Sequence, residues 1–416
     1  MRIVFVSYQY WPPDFGGELL ISIERFQSLA SRGAQVTVLT SGRPGFTASE
    51  HDQGLDIWRS PIIHSSRPGR LLRRTAFFLW TCWKLIRNPF DALHVGSPGG
   101  IGPISSTVAA RILSILARLK GARSFTVHSL ADSEASAFES RGWQGFWRRM
   151  FFGSFDCVVA VSPALFQGLS PHFPGRVALI PCGIRDDIFI RCPETRKAFR
   201  AEKGVRNGDV TFIFLGSVSR RKGFDLLAQA FADLALEHSD WRLWVVGPHS
   251  LTQNQNIDES EVANITRALT SVEKRVTFWG RVDERAFLSR ILSAGDVFVF
   301  PSRKEGMGIA PMEAMAVGLP VIIARIAGVT DLANVDGDTG LYVLPGDLPA
   351  LKTAMLRLGT DADLRCKMGL RGAQVVRNSF GWDKHMGEWH RLYAGEMPYQ
   401  TLETRARGRQ ASPHAD

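Results

Sequence analysis

Two acidic residues, Glu305 and Glu313, stand eight positions apart in the segment PSRKEGMGIAPMEAMAVGLPVI, residues 301 to 322, which is otherwise rich in small and apolar residues. A carboxylate can accept two hydrogen bonds side by side, which suits the vicinal hydroxyls of a ribose or a hexose. The surrounding pattern predicts a strand, a glycine-containing loop that holds Glu305, and a helix that carries Glu313 in its first turns. Both carboxylates are therefore expected beside a helix N-terminus, although an ordinary surface role would fit the same spacing.

Three cations, Arg220, Arg221 and Lys222, follow the apolar run VTFIFLGS and lead through Gly223 into an amphipathic helical pattern. Cations and helix N–H groups that converge at a strand end suit a phosphate or a diphosphate. The GxxxxGK[ST] phosphate loop is absent, so a solvated basic patch is the alternative.

A glycine pair, Gly16 and Gly17, precedes a helical pattern that starts near Glu18, after the first apolar run. The amides of such a turn can hold an anionic oxygen, because glycine lets the backbone approach a ligand closely. A plain turn is the competing interpretation.

Short apolar runs recur along the chain and alternate with helical patterns such as residues 18 to 32 and 102 to 119. The runs lack polar alternation, as strands buried on both faces do, so the sequence predicts parallel sheets wrapped by helices. In such sheets ligands bind at the carboxyl ends of the strands. The predicted strands are 2–7, 35–40, 92–97, 124–129 and 157–162 in the first half, and 210–217, 241–247, 275–280, 296–302, 320–325 and 340–344 in the second.

The alternating pattern stops in a polar stretch near residues 190 to 208 and then starts again. The fold class predicted is therefore α/β, with two Rossmann-like doubly wound domains that face each other across a cleft, and the cleft is the expected active site. The expected division is a first domain over 1–190, a second domain over 191–379, a C-terminal helix over 380–396 that crosses back to the first domain, and a loose tail over 397–416.

Charge and cysteine content narrow the class of protein. The 416 residues carry a net charge of +10, and residues 1 to 190 hold 20 Lys and Arg against 13 Asp and Glu. A basic balance suits phosphate substrates, nucleic acid or an anionic membrane alike. The five cysteines form neither CxxC pairs nor a regular framework, so a reducing, cytoplasmic compartment is expected, with no disulfide scaffold and no zinc site. The first residues are predicted to form a strand and not a signal peptide.

The segment SRKEGMGIAPMEAMAVGLPVI resembles the E-x7-E signature of retaining GT-B glycosyltransferases, specifically glycosyltransferase family 4. Other motifs resemble that family in the same order: FGG after the first strand, VHS with His128, IPCGIRDDIF at the predicted domain joint, GSVSRRKGFDLL, AGVTDL and DGDTGLYVLPGD. The resemblance covers essentially the whole predicted fold. It implies an enzyme that moves a hexosyl group from a nucleotide-diphosphate sugar to a hydroxyl acceptor with retention of configuration.

The resemblance also implies roles for single residues. Arg221 and Lys222 would neutralise the donor diphosphate, Glu313 would hold the ribose hydroxyls, and Glu305 would contact the hydroxyls of the transferred sugar. His128 would lie near that sugar, unless it is a buried core histidine. The implied catalytic set is Lys222, Arg221, Glu305 and His128, and the implied substrate-binding set is Gly16, Gly17, Gly216, Ser217, Gly306, Met307, Gly308, Ile309 and Glu313.

The chain departs from the family pattern at three places. Cys182 stands where the family often has Asn, Asp331 where it often has Glu, and Gly216-Ser217 where many members have Gly-Arg. The last departure leaves one diphosphate contact to Arg220 or Arg221. The resemblance implies that the departing phosphate deprotonates the acceptor, so no enzymatic nucleophile, cofactor or metal is expected.

The acceptor is expected in the more basic first domain, as a glycan, a lipid-linked saccharide or a small molecule of cell-envelope or exopolysaccharide synthesis. Residues 71 to 89 combine arginines with four large aromatic residues, and they are too short to span a bilayer, which needs about 20 apolar residues. This composition suits docking on an anionic membrane surface, peripherally on the inner face of the cell membrane. It suits equally a helix packed between a sheet and solvent. No nucleic acid partner is expected.

A UDP-sugar is the expected donor, with a GDP-sugar second. The alternatives are a noncatalytic sugar-nucleotide-binding protein and a sucrose-synthase-like retaining GT-B enzyme. A dinucleotide-dependent oxidoreductase is disfavoured, because no GxGxxG with an acidic partner follows the first strand of either half.

Overall fold

The structure is a computed structural model, and it describes residues 1–8, 10, 17–63, 69–97, 103–128, 143–250, 258–305, 307–326 and 337–396. The chain divides into two compact units. Unit 1 begins at Met1 and ends at Pro181, and the chain returns to it at His385. Unit 2 is Cys182–Lys384.

The described strands of unit 1 form one sheet in the order β3-β4-β2-β1-β5-β6-β7-β8. All neighbouring strands in it are parallel except the pair β3 and β4. The strands are β1 (Arg2–Ser7), β2 (Gln35–Gly42), β3 (Ser49–Asp52), β4 (Leu55–Ile63), β5 (Ala92–Ser97), β6 (Arg123–His128), β7 (Cys157–Ala160) and β8 (Val177–Leu179). The helices are α1 (Gly17–Ser31), α2 (Arg70–Arg87), α3 (Pro103–Leu119), α4 (Trp143–Phe152) and α5 (Pro163–Leu169).

The antiparallel hairpin of β3 and β4 is an addition to the predicted strands. Its turn is Gln53-Gly54, with positive φ at both residues, 46° and 83°, which is the backbone that two-residue hairpin turns favour. The hairpin lies at the sheet edge, and the sequence of β3 is SEHD. The sequence of β3 has no apolar run that would predict a strand, because an edge strand is not buried on both faces.

The described strands of unit 2 form a parallel sheet in the order β11-β10-β9-β12-β13-β14. The chain therefore builds outward from β9 in one direction and then from β12 in the other, so the order reverses between β9 and β12. The strands are β9 (Val210–Leu215), β10 (Trp241–Val246), β11 (Val276–Gly280), β12 (Val297–Phe300), β13 (Val321–Ala324) and β14 (Gly340–Val343). The helices are α6 (Pro193–Glu202), α7 (Phe224–Glu237), α8 (Glu259–Thr266), a 3-10 helix (Arg267–Arg275), α9 (Arg285–Ala294), α10 (Ile309–Ala316), α11 (Leu348–Thr360), α12 (Ala362–Phe380) and α13 (Trp382–Ala394), of which α13 continues into unit 1.

The division between the units lies earlier than the predicted boundary at residue 190. The segment 182–190 packs within unit 2: the amide of Cys182 donates to Met307 Sδ at 3.1 Å, and Ser289 Oγ donates to the carbonyl of Ile188 at 2.8 Å. The polar stretch that suggested the boundary belongs to unit 2, because helix α6 within it is held there by Arg196, which donates to Asp296 at 2.6 Å.

The helix predicted over 380–396 is α13, which begins at Trp382. Its first amide donates to Asp186 Oδ1 at 2.9 Å, so its start is fixed in unit 2. Its later residues belong to unit 1, where Tyr393 Oη lies 2.7 Å from Nδ1 of the buried His94. The predicted tail, residues 397–416, lies outside the described residues.

Candidate functional site

The described site residues predicted in the second half of the chain follow the carboxyl ends of β9 and β12. These two strands are hydrogen-bonded neighbours, and the strand order reverses between them. Open parallel sheets bind ligands at this switch point, because the loops that leave it diverge to opposite faces of the sheet. The loop after β9 carries Arg221 and Lys222, and the loop after β12 carries Glu305.

The two loops touch each other through backbone, and glycine makes this approach possible. Gly223 has φ of +73°, and a Cβ placed on it would lie 1.9 Å from the carbonyl oxygen of Pro301. The amide of Arg303 donates to the carbonyl of Arg221 at 2.9 Å. The neighbouring loop after β10 approaches in the same way, since a Cβ on Gly247 would lie 2.1 Å from the carbonyl oxygen of Gly216. The geometry of this site is therefore set by main-chain contacts.

One oxygen of Glu305 collects the polar contacts of the site. Lys222 Nζ lies 2.6 Å from Glu305 Oε1 and donates to it, and Ser302 Oγ donates to the same atom at 2.7 Å. Arg221 lies 3.7 Å from that oxygen and also donates to the carbonyl of Lys304 at 3.2 Å. Two cations thus converge on a carboxylate at the end of the sheet.

Lys222 is the more buried of the two cations. Burial lowers the pKa of its ammonium below the ordinary 10.5, and the neighbouring Glu305 carboxylate opposes this effect. A charge of opposite sign about 4 Å away is worth about 4 kcal/mol at an effective dielectric constant of about 20, against about 1 kcal/mol in water. A partly buried cation that has lost hydration therefore attracts an anionic ligand more strongly than an exposed one.

Glu313 lies in α10 and is a buried charge. Its Oε1 lies 2.5 Å from an Nη atom of Arg285, and the two side chains are 4% and 14% exposed. The guanidinium of Arg285 lies 4.9 Å from the ring centre of Phe189. Because a carboxylate in such a place is costly without a partner, the ion pair with Arg285 offsets part of the cost of burying Glu313 and fixes the direction of its carboxylate.

Arg285 and Ser302 are members of the site that the sequence reasoning missed. Arg285 is the first residue of α9 and follows β11 through a short loop, so the rule that functional residues follow strand ends could have found it. Ser302 follows the end of β12 after one intervening residue, Pro301. It could have been found by the same rule.

The start of α10 provides the backbone part of the site. Gly308 is the N-cap residue, and a glycine has no side chain with which to cap the first N–H groups of the helix. Met307 is buried, and its sulfur accepts the amide of Cys182. The departure at Cys182 is therefore tolerated in this contact, because the backbone and not the side chain makes it.

The remaining predicted residues belong to unit 1, follow β9 directly, or lie outside the described residues. Gly17 is the first residue of α1 and His128 is the last residue of β6, both in unit 1, and the side chain of His128 lies outside the described part of the structure. Gly16, Gly306 and Asp331 also lie outside it. Gly216 and Ser217 directly follow β9, as predicted. Within the described ranges, no group of three or more His, Cys, Asp and Glu is placed to hold a metal ion.

Two family models match the chain. The model described as Glycosyltransferase Family 4 matches residues 24–188, and the model described as Glycosyl transferases group 1 matches residues 209–361. A D-inositol 3-phosphate glycosyltransferase of Kineococcus radiotolerans is 31% identical over 402 residues, which cover 89% of this chain and 88% of that protein. The chain belongs to glycosyltransferase family 4. It is a retaining glycosyltransferase that uses a nucleotide sugar.

Solved structures of other proteins show the same fold as this family 4 enzyme. Sucrose-phosphate synthase of Thermosynechococcus elongatus superimposes with a TM-score of 0.77 at 22% identity, over 95% of this chain and 98% of that one. HepE of Anabaena, solved with UDP and glucose, superimposes with a TM-score of 0.73 at 16% identity, over 95% of this chain and 99% of that one. The predicted family, the GT-B fold class and the enzyme class are confirmed.

Proposed function

We propose that this family 4 enzyme transfers a hexosyl group from a UDP-sugar to a hydroxyl of a glycan or lipid-linked saccharide in cell-envelope or exopolysaccharide synthesis, and that unit 2 binds the donor. The observation that carries the proposal is the convergence of Lys222 and Arg221 on Glu305 at the β9–β12 switch point. The choice of UDP is supported by HepE, which was solved with UDP and glucose.

The diphosphate of the donor binds Lys222 and Arg221, with the first amides of α10 and the backbone of Gly216 and Ser217 as further donors. The N-terminus of α10 is the positive end of the helix dipole, which adds to the attraction for the diphosphate. Binding of the diphosphate supplies Lys222 with a second anion beside Glu305. The carboxylate of Glu305 then accepts hydrogen bonds from the hydroxyls of the transferred sugar.

Glu313 binds the two ribose hydroxyls of the nucleotide. Its ion pair with Arg285 at 2.5 Å holds the carboxylate in one direction, and a carboxylate accepts hydrogen bonds from hydroxyl groups. The ribose therefore anchors the nucleotide to α10, and the diphosphate extends from it toward Lys222. We assign Arg285 the role of positioning residue for Glu313.

The reaction breaks the bond between the anomeric carbon and the diphosphate oxygen and forms a bond from that carbon to the acceptor oxygen. Negative charge grows on the leaving diphosphate, and positive charge grows on the sugar ring. Lys222, Arg221 and the α10 amides stabilise the leaving group where its charge develops. The acceptor proton passes to the departing phosphate on the same face of the sugar, so the mechanism uses no enzymatic nucleophile.

Unit 1 receives the acceptor and, in this proposal, brings Gly16, Gly17 and His128 to the transferred sugar. Its helix α2 carries Arg73, Arg74, Lys84 and Arg87 together with large aromatic side chains. Searched over the described residues, no helix is both long and apolar enough to cross a bilayer. We propose a cytoplasmic enzyme that contacts the inner face of the membrane peripherally.

The test is nucleotide release from UDP-glucose, UDP-galactose, GDP-mannose and ADP-glucose, measured with and without a pool of glycan and lipid-linked acceptors. We expect UDP release that rises with acceptor and disappears in Lys222→Met. The matched control is Lys367→Met, which removes an exposed lysine of α12 in the same unit. Release of GDP alone would refute the choice of UDP, and the absence of release of any nucleotide would favour the noncatalytic sugar-nucleotide-binding protein.

A further inference from the structure

A pocket of about 220 Å³ opens in unit 1 between α3 and α4. Its walls include three arginines, Arg111 and Arg118 of α3 and Arg149 of α4, and the apolar side chains of Ile115 and Met150. A water molecule in the liquid takes about 30 Å³, so the pocket has room for a phosphate group. The guanidinium of Arg118 is held in place by Asp156, which accepts from its Nε at 2.9 Å and lies 2.8 Å from one of its Nη atoms. Among the described residues that line the pocket, three are arginines and none is a carboxylate, so its walls carry positive charge.

The outer face of α3 is apolar although it is exposed. Val108, Ile112, Ile115 and Leu119 are spaced by four, three and four positions and are 50%, 38%, 46% and 79% exposed. This spacing places them on a single stripe of the helix. Ile115 is shared between the stripe and the arginine pocket, so the apolar stripe borders the three cations directly.

Helix α2 repeats this pattern beside α3. Its exposed apolar residues are Leu72, Leu79, Trp83 and Ile86, which fall within one stripe at helical spacing. The ends of the two helices are adjacent, because Lys120 Nζ donates to the carbonyl of Ile86 at 2.6 Å. We call the two apolar stripes, together with the basic residues that border them, the α2–α3 face.

We propose that the pocket between α3 and α4 binds the phosphate of an anionic phospholipid headgroup while the α2–α3 face enters the interfacial layer of the bilayer. Arginine forks match the paired oxygens of a phosphodiester. Apolar helix faces with basic borders lie in the plane of the headgroup layer, where anionic lipids attract the cations. This inference rests on the proposed function, because binding to the lipid would hold unit 1 at the membrane surface, where a lipid-linked acceptor is found.

The charge arm of the test compares binding to vesicles of phosphatidylcholine alone and of phosphatidylcholine mixed with phosphatidylglycerol, by co-sedimentation. The variant Arg111→Gln/Arg149→Gln removes two pocket cations. At about a factor of five for each basic residue near an anionic surface, it is expected to bind the mixed vesicles about 30-fold more weakly. The matched control, Lys367→Gln/Arg377→Gln, removes two exposed cations from α12 of unit 2 and is expected to bind as the wild type does.

The apolar arm uses Ile112→Gln/Leu119→Gln, which changes two exposed side chains of the stripe and leaves the three arginines in place. We expect it to weaken binding to the mixed vesicles about tenfold or more. Circular dichroism and melting temperature confirm that each variant is folded. Inorganic phosphate at matched ionic strength is expected to displace the wild type only in part, because the stripes still contact lipid.

Four outcomes would overturn the inference. They are equal binding of wild type and Arg111→Gln/Arg149→Gln to mixed vesicles, equal binding of the wild type to both kinds of vesicle, complete displacement by inorganic phosphate, and a dimer in sedimentation velocity that the Ile112→Gln/Leu119→Gln variant breaks. The last two would assign the pocket to a soluble phosphate compound and the face to a second copy of the chain. UDP release without vesicles tests the proposed function separately, so either idea can fail while the other stands.

Discussion

The variant Gly223→Ala tests how the donor site is built. Gly223 follows Lys222 and is the N-cap residue of α7, with φ of +73°. A Cβ there would lie 1.9 Å from the carbonyl oxygen and 2.6 Å from the carbonyl carbon of Pro301. Both are main-chain atoms that cannot rotate away. The alanine must therefore push the loop of Lys222 away from the loop of Glu305.

The chain offers a matched control in Gly204→Ala. Gly204 lies in the same unit with φ of +66°, and a Cβ on it would have no atom within 4 Å. An alanine in the left-handed region costs about 1–2 kcal/mol, which is the whole effect expected at Gly204. At Gly223 the steric displacement adds about 1–3 kcal/mol. At about 2–4 °C of melting temperature for each kcal/mol in a unit of this size, unit 2 is expected to melt about 5 °C lower in the control and about 10 °C lower in Gly223→Ala.

Scanning calorimetry and isothermal titration with the donor read the two effects. We expect Gly204→Ala to keep the affinity of the wild type for the donor, and Gly223→Ala to lose it even below its melting temperature, because the distance between Lys222 and Glu305 has changed. If Gly223→Ala melts as the control does and still binds the donor, close backbone contact between the two loops does not position the site.

Three further predictions concern single side chains of the site. Lys222→Met is expected to lower kcat about 10²–10³-fold in nucleotide release, since it removes a donor aimed at the leaving group, and an unchanged kcat would contradict that role. Burial lowers the pKa of Lys222 below 10.5, so its charge is lost as pH rises through that lower value, and kcat/KM of the wild type is expected to fall there. In Lys222→Arg, kcat/KM is expected to fall only at higher pH. Identical pH profiles of the two proteins would count against the assignment. Arg285→Met is expected to lower the free energy of unfolding in urea by about 3–5 kcal/mol, because Glu313 stays buried without its cation. The double variant Arg285→Met/Glu313→Met is expected to recover most of that stability. Equal losses of stability in the single and the double variant would show that the ion pair is not what holds Glu313.

Much of unit 2 could be predicted from the sequence, because its central strands are buried on both faces and appear as plain apolar runs. The predicted strands 210–217, 241–247 and 296–302 correspond to β9, β10 and β12. The rule that ligands bind after such strands then points to Lys222 and Glu305. Their contact at 2.6 Å could not be predicted, since chain order does not tell which strands are neighbours.

Other features depend on packing that no local pattern records. The partner of Glu313 is Arg285, which reaches it from the first turn of another helix. Segment 182–190 reads as the end of the first domain, yet the amide of Cys182 bonds to Met307 in unit 2. Residues 71 to 89 combine two environments that the sequence does not separate: Phe77 is buried among strand residues of unit 1, while Leu79 and Trp83 are exposed.

The central claim is that the switch point of unit 2 binds a nucleotide sugar, and thermal stabilisation by a panel of UDP-, GDP-, ADP- and dTDP-sugars tests it most directly. At a donor concentration of about 100 times Kd, binding is worth about 2.7 kcal/mol, which corresponds to about 5–10 °C for a unit of this size. We expect a UDP-sugar to produce this shift in the wild type and not in Glu313→Gln, which keeps the shape of the side chain and removes its charge. A wild type that no nucleotide sugar stabilises, or a variant that is stabilised equally, would contradict the account.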